Sequence, residues 1–194
     1  FTQSPDQSWE HQRNVIEAAK SGDPEALQLI YDAHSNQVYR YALARLGNVH
    51  DAEDVAQEIF AQMLKGLPSY QWQNAPFAAW LMRIARNEVV SFRRRNHRHS
   101  QDGELPEEIL DPSDNDPAKV TEKIVKLDDL RRSVALLSEA QREVIILRFA
   151  SGLSISDTAR ALGKHENNIK VLQHNGMVRL RTFLTPKYPE LALV

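Results

Sequence analysis

The stretch that decides the fold is SISDTARALGKHENNIKVL, residues 154–172, which has the pattern of two helices joined by a tight turn. Ser154 can cap the first helix, and Gly163 begins the break before the second. A short helix, a tight turn and a second helix form a helix-turn-helix, whose second helix enters the major groove of DNA. A plain three-helix bundle with a solvated polar face has the same pattern, so both interpretations stay open.

The second of these helices would present a polar outer face. Apolar side chains at helical spacing supply the inner contacts, namely Ile155, Leu162, Ile169, Leu172 and Leu180. Amide and basic groups on the outer face can contact base edges or phosphates. The residues predicted to do so are Asn167, Asn168, Lys170, Val171 and His174.

Helical spacing also dominates the rest of the chain, whose 194 residues suffice for two small domains. Asp23-Pro24 is typical of a helix start, and Gly47 follows the last apolar residue of that helix. Ser138 and Gln141 form a capping-box pattern. The predicted helices cover residues 9–20, 24–46, 51–65, 77–95, 117–137, 139–149, 154–162 and 166–183. The predicted fold class is therefore all-α.

The charges are distributed unevenly, although the net charge is only −2. Residues 83–99 contain six arginines and one acid, whereas residues 101–118 contain seven acids and neither lysine nor arginine. The acidic stretch also contains glycine and proline, which interrupt regular structure. We expect two small helical domains, an N-terminal helical bundle at 9–99 and a C-terminal helix-turn-helix domain at 118–186, joined by an acidic flexible linker at 100–117.

Aromatic residues accompany the arginine-rich helix. Tyr70 and Trp72 precede it, and Trp80 lies in its first turn. Aromatic faces beside cations suit the unstacked bases and phosphates of single-stranded nucleic acid. The competing interpretation is structural, because Trp80 is in register with the apolar stripe that begins at Phe77. Tyr70 and Trp72 could likewise fold over the helix end.

Residues 51–58 place carboxylates and an amide opposite Val55 and Ile59. Carboxylates near a helix start are stabilised by the helix dipole, so this face needs no function. A metal site is the sharper alternative, but neither His34 nor His50 has a histidine partner four positions away. The chain also lacks a phosphate-binding glycine loop, HExxH and GxSxG. We expect no metal, no cofactor and no enzymatic activity.

The sequence contains no targeting or membrane signal that we recognise. No apolar run approaches the ~18 residues that cross a bilayer, and no basic start precedes an apolar block. Cysteine is absent, which excludes disulfides, thiolate metal ligands and cysteine nucleophiles. We expect a cytoplasmic protein without membrane insertion.

Three stretches, in this order along the chain, resemble those of one family. They are DAEDVAQEIF at 51–60, PFAAWLMRIARNE at 76–88, and LSEAQREVIILRF at 137–149 followed by GLS at 152–154. With the acidic linker between them, they resemble the extracytoplasmic-function (ECF) sigma factors of bacterial RNA polymerase over residues 20–184. The resemblance implies a transcription initiation factor that selects and melts promoters without covalent chemistry.

The resemblance also implies partners and residue roles. The partners would be core RNA polymerase, through its β′ and β subunits, promoter DNA, and an anti-sigma factor. The polymerase contact would involve Asp51, Asp54, Gln57 and Glu58. The minus-ten strand, with a flipped base at the loop 70–74, would be contacted by Tyr70, Trp72, Asn74, Arg83, Arg86, Asn87, Arg93, Arg94 and Arg95. The minus-thirty-five duplex would be contacted by His165, Asn167, Asn168, Lys170, Val171, His174 and Asn175.

The recognition helix departs from the family pattern, which has a serine and a threonine near its start and two arginines farther along. Those positions are His165, Asn168, Leu172 and Asn175 here. Loss of arginine weakens phosphate contacts, whereas asparagine can still pair with adenine. Gly176 replaces a helix-favouring alanine, which costs about 1 kcal/mol in an exposed helix unless close packing requires it.

Two other functions fit the same motifs. A sigma mimic would bind an anti-sigma factor and never contact DNA, but such a decoy would not need the arginine run at 93–95. A helix-turn-helix repressor with an N-terminal dimerisation domain would bind DNA without core polymerase. Dependence of DNA binding on core polymerase distinguishes these functions from that of a sigma factor.

Overall fold

The computed structural model describes residues 5–72, 76–96 and 117–189, and within these ranges every regular element is helical. This confirms the all-α prediction. The elements are α1 Pro5–Lys20, α2 Pro24–Leu46, α3 Val49–Gly66, a 3₁₀ turn Leu67–Ser69, α4 Phe77–Asn96, α5 Pro117–Ala135, α6 Glu139–Ile145, a π-helical segment Ile146–Ala150, α7 Ile155–Leu162 and α8 Glu166–Leu184. The predicted linker at 100–117 lies almost entirely outside the described residues.

The predicted helix boundaries are confirmed by their capping groups. The carboxylate of Asp23 accepts hydrogen bonds from the backbone N–H groups of Glu25 and Ala26 at the start of α2. Gly47 ends that helix in the left-handed conformation, with φ of 75°. Ser138 and Gln141 make the reciprocal capping box at the start of α6.

One predicted helix differs in its second half. Residues 139–149 were expected to form a single α-helix, but the last part, Ile146–Ala150, is π-helical. The backbone N–H of Ser151 bonds to the carbonyl of Ile146, and that of Leu153 bonds to the carbonyl of Leu147. The Arg148 guanidinium also donates to the Leu153 carbonyl. These hydrogen bonds pair the backbone carbonyl groups of the widened last turn and direct the chain into α7.

The N-terminal helices α1–α4 enclose a core in which the predicted stripe of α4 is largely buried. Its buried members are Phe77, Leu81, Ala85 and Val89, while Trp80 and Ile84 are half-buried. Leu64 of α3 is 49% exposed, although it is apolar. Nine positions along a helix of about 3.6 residues per turn put Leu64 opposite the buried Val55.

The C-terminal helices α5–α8 pack around two small clusters. Val144, Ala159 and Ile169 form one, and Leu137, Ile145 and Leu180 form the other. Of the five predicted inner residues of the helix-turn-helix, Ile169 and Leu180 are buried. Ile155, Leu162 and Leu172 are half-buried against the same helices.

The two groups of helices also pack against each other. The buried side chains of Ile146, Leu147, Leu153 and Ala161 join the same apolar cluster as the residues of α2–α4. Sequence patterns did not predict this contact, because neither group of helices reveals its partner through spacing alone. The helix-turn-helix therefore lies directly beside α4 and its arginines.

Gly176 lies where α8 crosses α6. A Cβ atom at this position would meet the side chain of Ile145, at 3.0 Å from Cγ1 and 3.3 Å from Cδ1, and Cβ of Gln141 at 3.6 Å. Such distances to Ile145 are too short for ordinary packing. The close approach of α8 to α6 therefore explains why position 176 is a glycine, although glycine is unfavourable inside a helix.

We predict that Gly176→Ala destabilises the chain. Overpacking costs about 1–3 kcal/mol and outweighs a helix-propensity gain of about 1 kcal/mol. Asn175→Ala is the matched control, since Asn175 lies in the same helix and is exposed. Urea denaturation measures both variants. A Gly176→Ala protein at least as stable as the parent would contradict the packing explanation.

Candidate nucleic-acid and polymerase interface

The acidic side of α3 carries the four residues predicted to contact polymerase. Asp54 and Gln57 are exposed, and Asp51 and Glu58 are half-buried. Spacings of three and four residues bring them to one side of the helix. Glu58 accepts a 2.5 Å hydrogen bond from the amide of Gln62, one turn farther along. The described residues contain no group of histidines and acids able to hold a metal ion.

The aromatic residues before α4 form a packed cluster. Tyr70 is only 5% exposed, and its ring centroid lies 5.4 Å from that of Phe77 and 4.9 Å from that of Trp80. Burial, with the nearby Glu17 carboxylate, raises the pKa of Tyr70 to about 12. Trp72 is half-buried with its ring edge-on to Tyr70. The Tyr70 ring is therefore part of this packed cluster, with little of its surface exposed.

An open cavity of about 450 Å³ lies beside this cluster, between α3 and α4. Its walls include Trp80, Ile84 and Asn87 from α4 and Ser69 from the 3₁₀ turn. Gly66 forms part of the wall, where a Cβ atom would lie 3.1 Å from the Trp80 ring. Sequence reasoning had named Asn87 but not the cavity, because a cavity depends on the approach of two helices.

The other predicted minus-ten residues lie on the exposed side of α4. Arg83, Arg86 and Arg93–Arg95 are exposed, as is Asn87, whereas Asn74 lies outside the described residues. The Arg83 guanidinium donates a 2.9 Å hydrogen bond to the backbone carbonyl of Arg160 in α7. The arginine surface is therefore partly covered by the C-terminal helices.

A charged network connects α2 with α6. The Tyr41 hydroxyl donates a 2.6 Å hydrogen bond to the Glu143 carboxylate, which lies 3.4 Å from Nη1 of Arg45. Nη2 of Arg45 donates a 2.5 Å hydrogen bond to Glu139. Burial alone would lower the pKa of Arg45, but the carboxylates of Glu143 and Glu139 outweigh it and raise that pKa. Burial and then the Glu143 charge raise the pKa of Tyr41, so its hydroxyl remains a donor.

The helix-turn-helix has the predicted geometry. The Ser154 hydroxyl caps α7, and Gly163 ends it in the left-handed conformation with φ of 61°. Every predicted minus-thirty-five residue is exposed, on the outer face of α8 or, for the first of them, directly before the helix. These residues are His165, Asn167, Asn168, Lys170, Val171, His174 and Asn175. Val171 is 58% exposed. Gln173, on the inner side, accepts a 2.9 Å hydrogen bond from Arg148.

Two known protein families match different parts of the chain. The Sigma-70 region 2 family matches residues 30–99, and the Sigma-70 region 4 family matches residues 127–180. A chain that carries both regions is a sigma-70-type protein. SigD of Mycobacterium tuberculosis, an ECF RNA polymerase sigma factor, is 33% identical over 86% of this chain and 81% of its own. This chain belongs to the ECF RNA polymerase sigma factors.

Other relatives support the same assignment. BldN of Streptomyces coelicolor, also an ECF RNA polymerase sigma factor, is 34% identical over 88% of this chain, which covers 64% of BldN. The solved sigma factor RpoE from Bartonella quintana, in complex with the anti-sigma factor NepR, is 26% identical with a TM-score of 0.62 over 81% of this chain and 96% of RpoE. CnrH, in complex with the cytosolic domain of CnrY, shares the fold at 20% identity, with a TM-score of 0.69 over 90% of this chain and 97% of CnrH. Among the described residues, no helix is long and apolar enough to span a bilayer.

The burial of Tyr70 generates a prediction that separates stability from DNA contact. We expect Tyr70→Ala to lower the free energy of unfolding by about 3 kcal/mol or more, because it empties an aromatic site in the core. Trp72→Ala should cost less than half as much, since that ring is only half-buried. Chemical denaturation followed by circular dichroism measures both. Equal costs for the two variants would contradict the assignment of Tyr70 to the core.

Proposed function

We propose that this chain is a dissociable specificity subunit of RNA polymerase that binds the core enzyme, selects a promoter and melts it. One observation carries the proposal: an exposed acidic helix face, an arginine surface beside an open cavity, and a helix-turn-helix occur together in one chain. Melting would use binding energy from captured single-strand bases and requires no covalent chemistry. We place the protein in the cytoplasm, where the polymerase acts.

The polymerase contact is proposed for the acidic side of α3, toward the β′ subunit, with the C-terminal domain contacting the β subunit. Asp54 and Gln57 are exposed, so they can form a charged interface without rearranging the core. We propose domain limits of 9–99 and 118–186, with a linker at 100–117. The family matches at 30–99 and 127–180 fall inside these limits.

The minus-ten site is proposed for α4 and the adjoining cavity. The cavity has the size of a small-molecule site and is lined by the Trp80 ring and the Asn87 amide, which suit the face and the edge of a flipped base. Arg83, Arg86 and the arginines at 93–95 would bind the strand's phosphates. Tyr70 supports this site from the core through its contact with Trp80, and Trp72 packs against Tyr70.

The minus-thirty-five site is proposed for the outer face of α8. Asparagine suits adenine and an exposed valine suits a thymine methyl group, so Asn167, Asn168 and Val171 favour A·T pairs. Lys170 would contact a phosphate. The family's arginines are absent from the corresponding positions, which supports a promoter element with few guanine contacts.

An anti-sigma factor is proposed as a further partner. The solved RpoE, which is 26% identical to this chain, is in complex with the anti-sigma factor NepR. The exposed apolar side chains of Leu29, Tyr31 and Leu64 on α2 and α3 offer a contact surface for such a partner. The sigma-mimic function is disfavoured by the exposed arginine surface, and the repressor function by the region 2 match.

We predict that promoter DNA is bound tightly only in the presence of core polymerase. Free chain and core-bound chain should be compared on a promoter fragment by gel shift. A sigma factor gives a specific shift that needs both proteins. A shift by the free chain alone indicates the repressor, and no shift under either condition indicates the mimic.

A pair of variants should separate polymerase binding from promoter melting. Asp54→Lys reverses a charge on the α3 face and should weaken core binding about tenfold, the effect of roughly 1.4 kcal/mol. Asn87→Ala should leave core binding unchanged while reducing run-off transcription. Core affinity is measured by anisotropy of labelled chain. If Asn87→Ala lowers core affinity as much as Asp54→Lys, the division between the two surfaces is wrong.

A further inference from the structure

We propose that Tyr41, Arg45 and Arg86 form a binding site for a phosphate group of the promoter strand, and that Glu143 occupies this site while the two domains are packed together. The Glu143 carboxylate thus acts as an internal substitute for a DNA phosphate. Tyr41 and Arg45 belong to α2, outside the residues that sequence patterns assign to DNA. The inference rests on the proposed promoter-binding function and adds a ligand site to it.

The geometry of the Glu143 carboxylate is that of a bound anion. It accepts the Tyr41 hydroxyl at 2.6 Å and lies 3.4 Å from Nη1 of Arg45. Nε of Arg86 lies 3.9 Å away. The carboxylate therefore faces one neutral and two cationic donor groups, which come from the two N-terminal helices α2 and α4. A guanidinium and a hydroxyl donor can bind a phosphate as well as a carboxylate. Both anions present several acceptor oxygens, in a plane for the carboxylate and in a tetrahedron for the phosphate.

Arg45 requires an anion in this place. Its side chain is only 1% exposed, and within the described residues its Nε and Nη1 donate no hydrogen bond. Removal of one partner leaves a buried charge uncompensated, which is strongly unfavourable. Both of its carboxylate partners, Glu139 and Glu143, lie on α6 of the C-terminal domain. Separation of the domains therefore deprives Arg45 of both at once.

The surroundings of the site favour a nucleic-acid phosphate over other anions. Arg86 belongs to the exposed arginine side of α4, and Arg83 lies one turn away on the same helix. Partial burial and the positive charge of Arg45 lower the pKa of Arg93, which lies two turns beyond Arg86 on α4. A phosphate bound between Tyr41, Arg45 and Arg86 would thus continue the path of the strand along α4.

The packed arrangement and DNA binding exclude each other at this site. Glu143 fills the donors, and the hydrogen bond from Arg83 to the Arg160 carbonyl holds α7 against α4. Gln37 of α2 adds a 2.8 Å hydrogen bond to the Ser151 carbonyl. In contrast, Asp54 and Gln57 of α3 remain exposed. The packed chain can therefore contact polymerase before its phosphate site is vacated.

The first test is the affinity of the full-length chain for DNA in the absence of polymerase. The probe is a fluorescent single-stranded oligonucleotide of mixed sequence and about 12 nucleotides, since a phosphate site needs no particular bases. Glu143→Gln removes the competing charge and should raise affinity about tenfold, as expected for one charged hydrogen-bonding group. Glu25→Gln, which removes the same charge at the exposed start of α2, should leave affinity unchanged.

The second test asks whether Tyr41 and Arg45 themselves bind the phosphate. Both changes are made in the Glu143→Gln background, and affinity is measured between about 50 and 200 mM salt. Arg45→Gln should reduce the salt-dependence slope by about 0.7, the value for one phosphate contact on a single strand. Tyr41→Phe removes only a neutral hydroxyl and should lower affinity without changing the slope. Urea denaturation verifies folding, and Tyr41→Phe decides the question if Arg45→Gln fails to fold.

The outcomes separate this inference from the proposed function. Unchanged oligonucleotide affinity in Glu143→Gln overturns the proposal, as does a gain that Tyr41→Phe and Arg45→Gln leave intact, because Glu143 would then be only a domain contact. Run-off transcription by the parent chain with core polymerase tests the function separately. Transcription without these oligonucleotide effects rejects the phosphate site alone, whereas absence of transcription rejects the proposed function.

Discussion

The guanidinium of Arg45 is the charge on which the contact between the two domains depends. It is buried at the end of α2, and its partners Glu139 and Glu143 come from α6. Breaking a buried pair by removing one member costs about 3–5 kcal/mol, because the remaining charge is left without a counterion. The apolar contacts of Ile146, Leu147 and Leu153 supply attraction between the domains, while Arg45 forms ion pairs across the same contact.

This contact links the two DNA-binding surfaces of the chain. α4 carries the arginines proposed for the minus-ten strand, and α7 supports the recognition helix α8 proposed for the minus-thirty-five duplex. α4 and α7 pack together, and the Arg83 guanidinium donates a hydrogen bond to the Arg160 carbonyl between them. The chain between α4 and α5 also connects the two surfaces covalently.

The acidic and basic surfaces follow a division that the net charge hides. Carboxylates collect on α3, where polymerase is proposed to bind, and arginines collect on α4, where DNA is proposed to bind. Glu143 is an acid placed among the arginines, and its burial depends on them. The same electrostatic attraction that would bind a nucleic-acid strand thus also holds the domains of the free chain together.

Local sequence patterns were sufficient to predict most of the helices, several of their ends and the family. Asp23, Gly47 and the Ser138–Gln141 box act on backbone groups within a few residues, so local chemistry was sufficient to predict them. The three family motifs likewise lie in continuous stretches. Exposure of Asn167 and Val171 followed from helical periodicity, which orients a helix once its apolar side is known.

Contacts between helices that are distant in sequence depend on the packed fold. Tyr70 is a core residue because Phe77 and Trp80 of α4 pack against it, and the cavity beside Asn87 is lined by residues of both α3 and α4. Gly176 is explained by Ile145 of another helix. Glu143 lies 102 positions from Tyr41 and 98 positions from Arg45 in the sequence. These residues meet only through domain packing. No periodicity or cap encodes such a contact, because its energy arises when distant helices desolvate each other's charges.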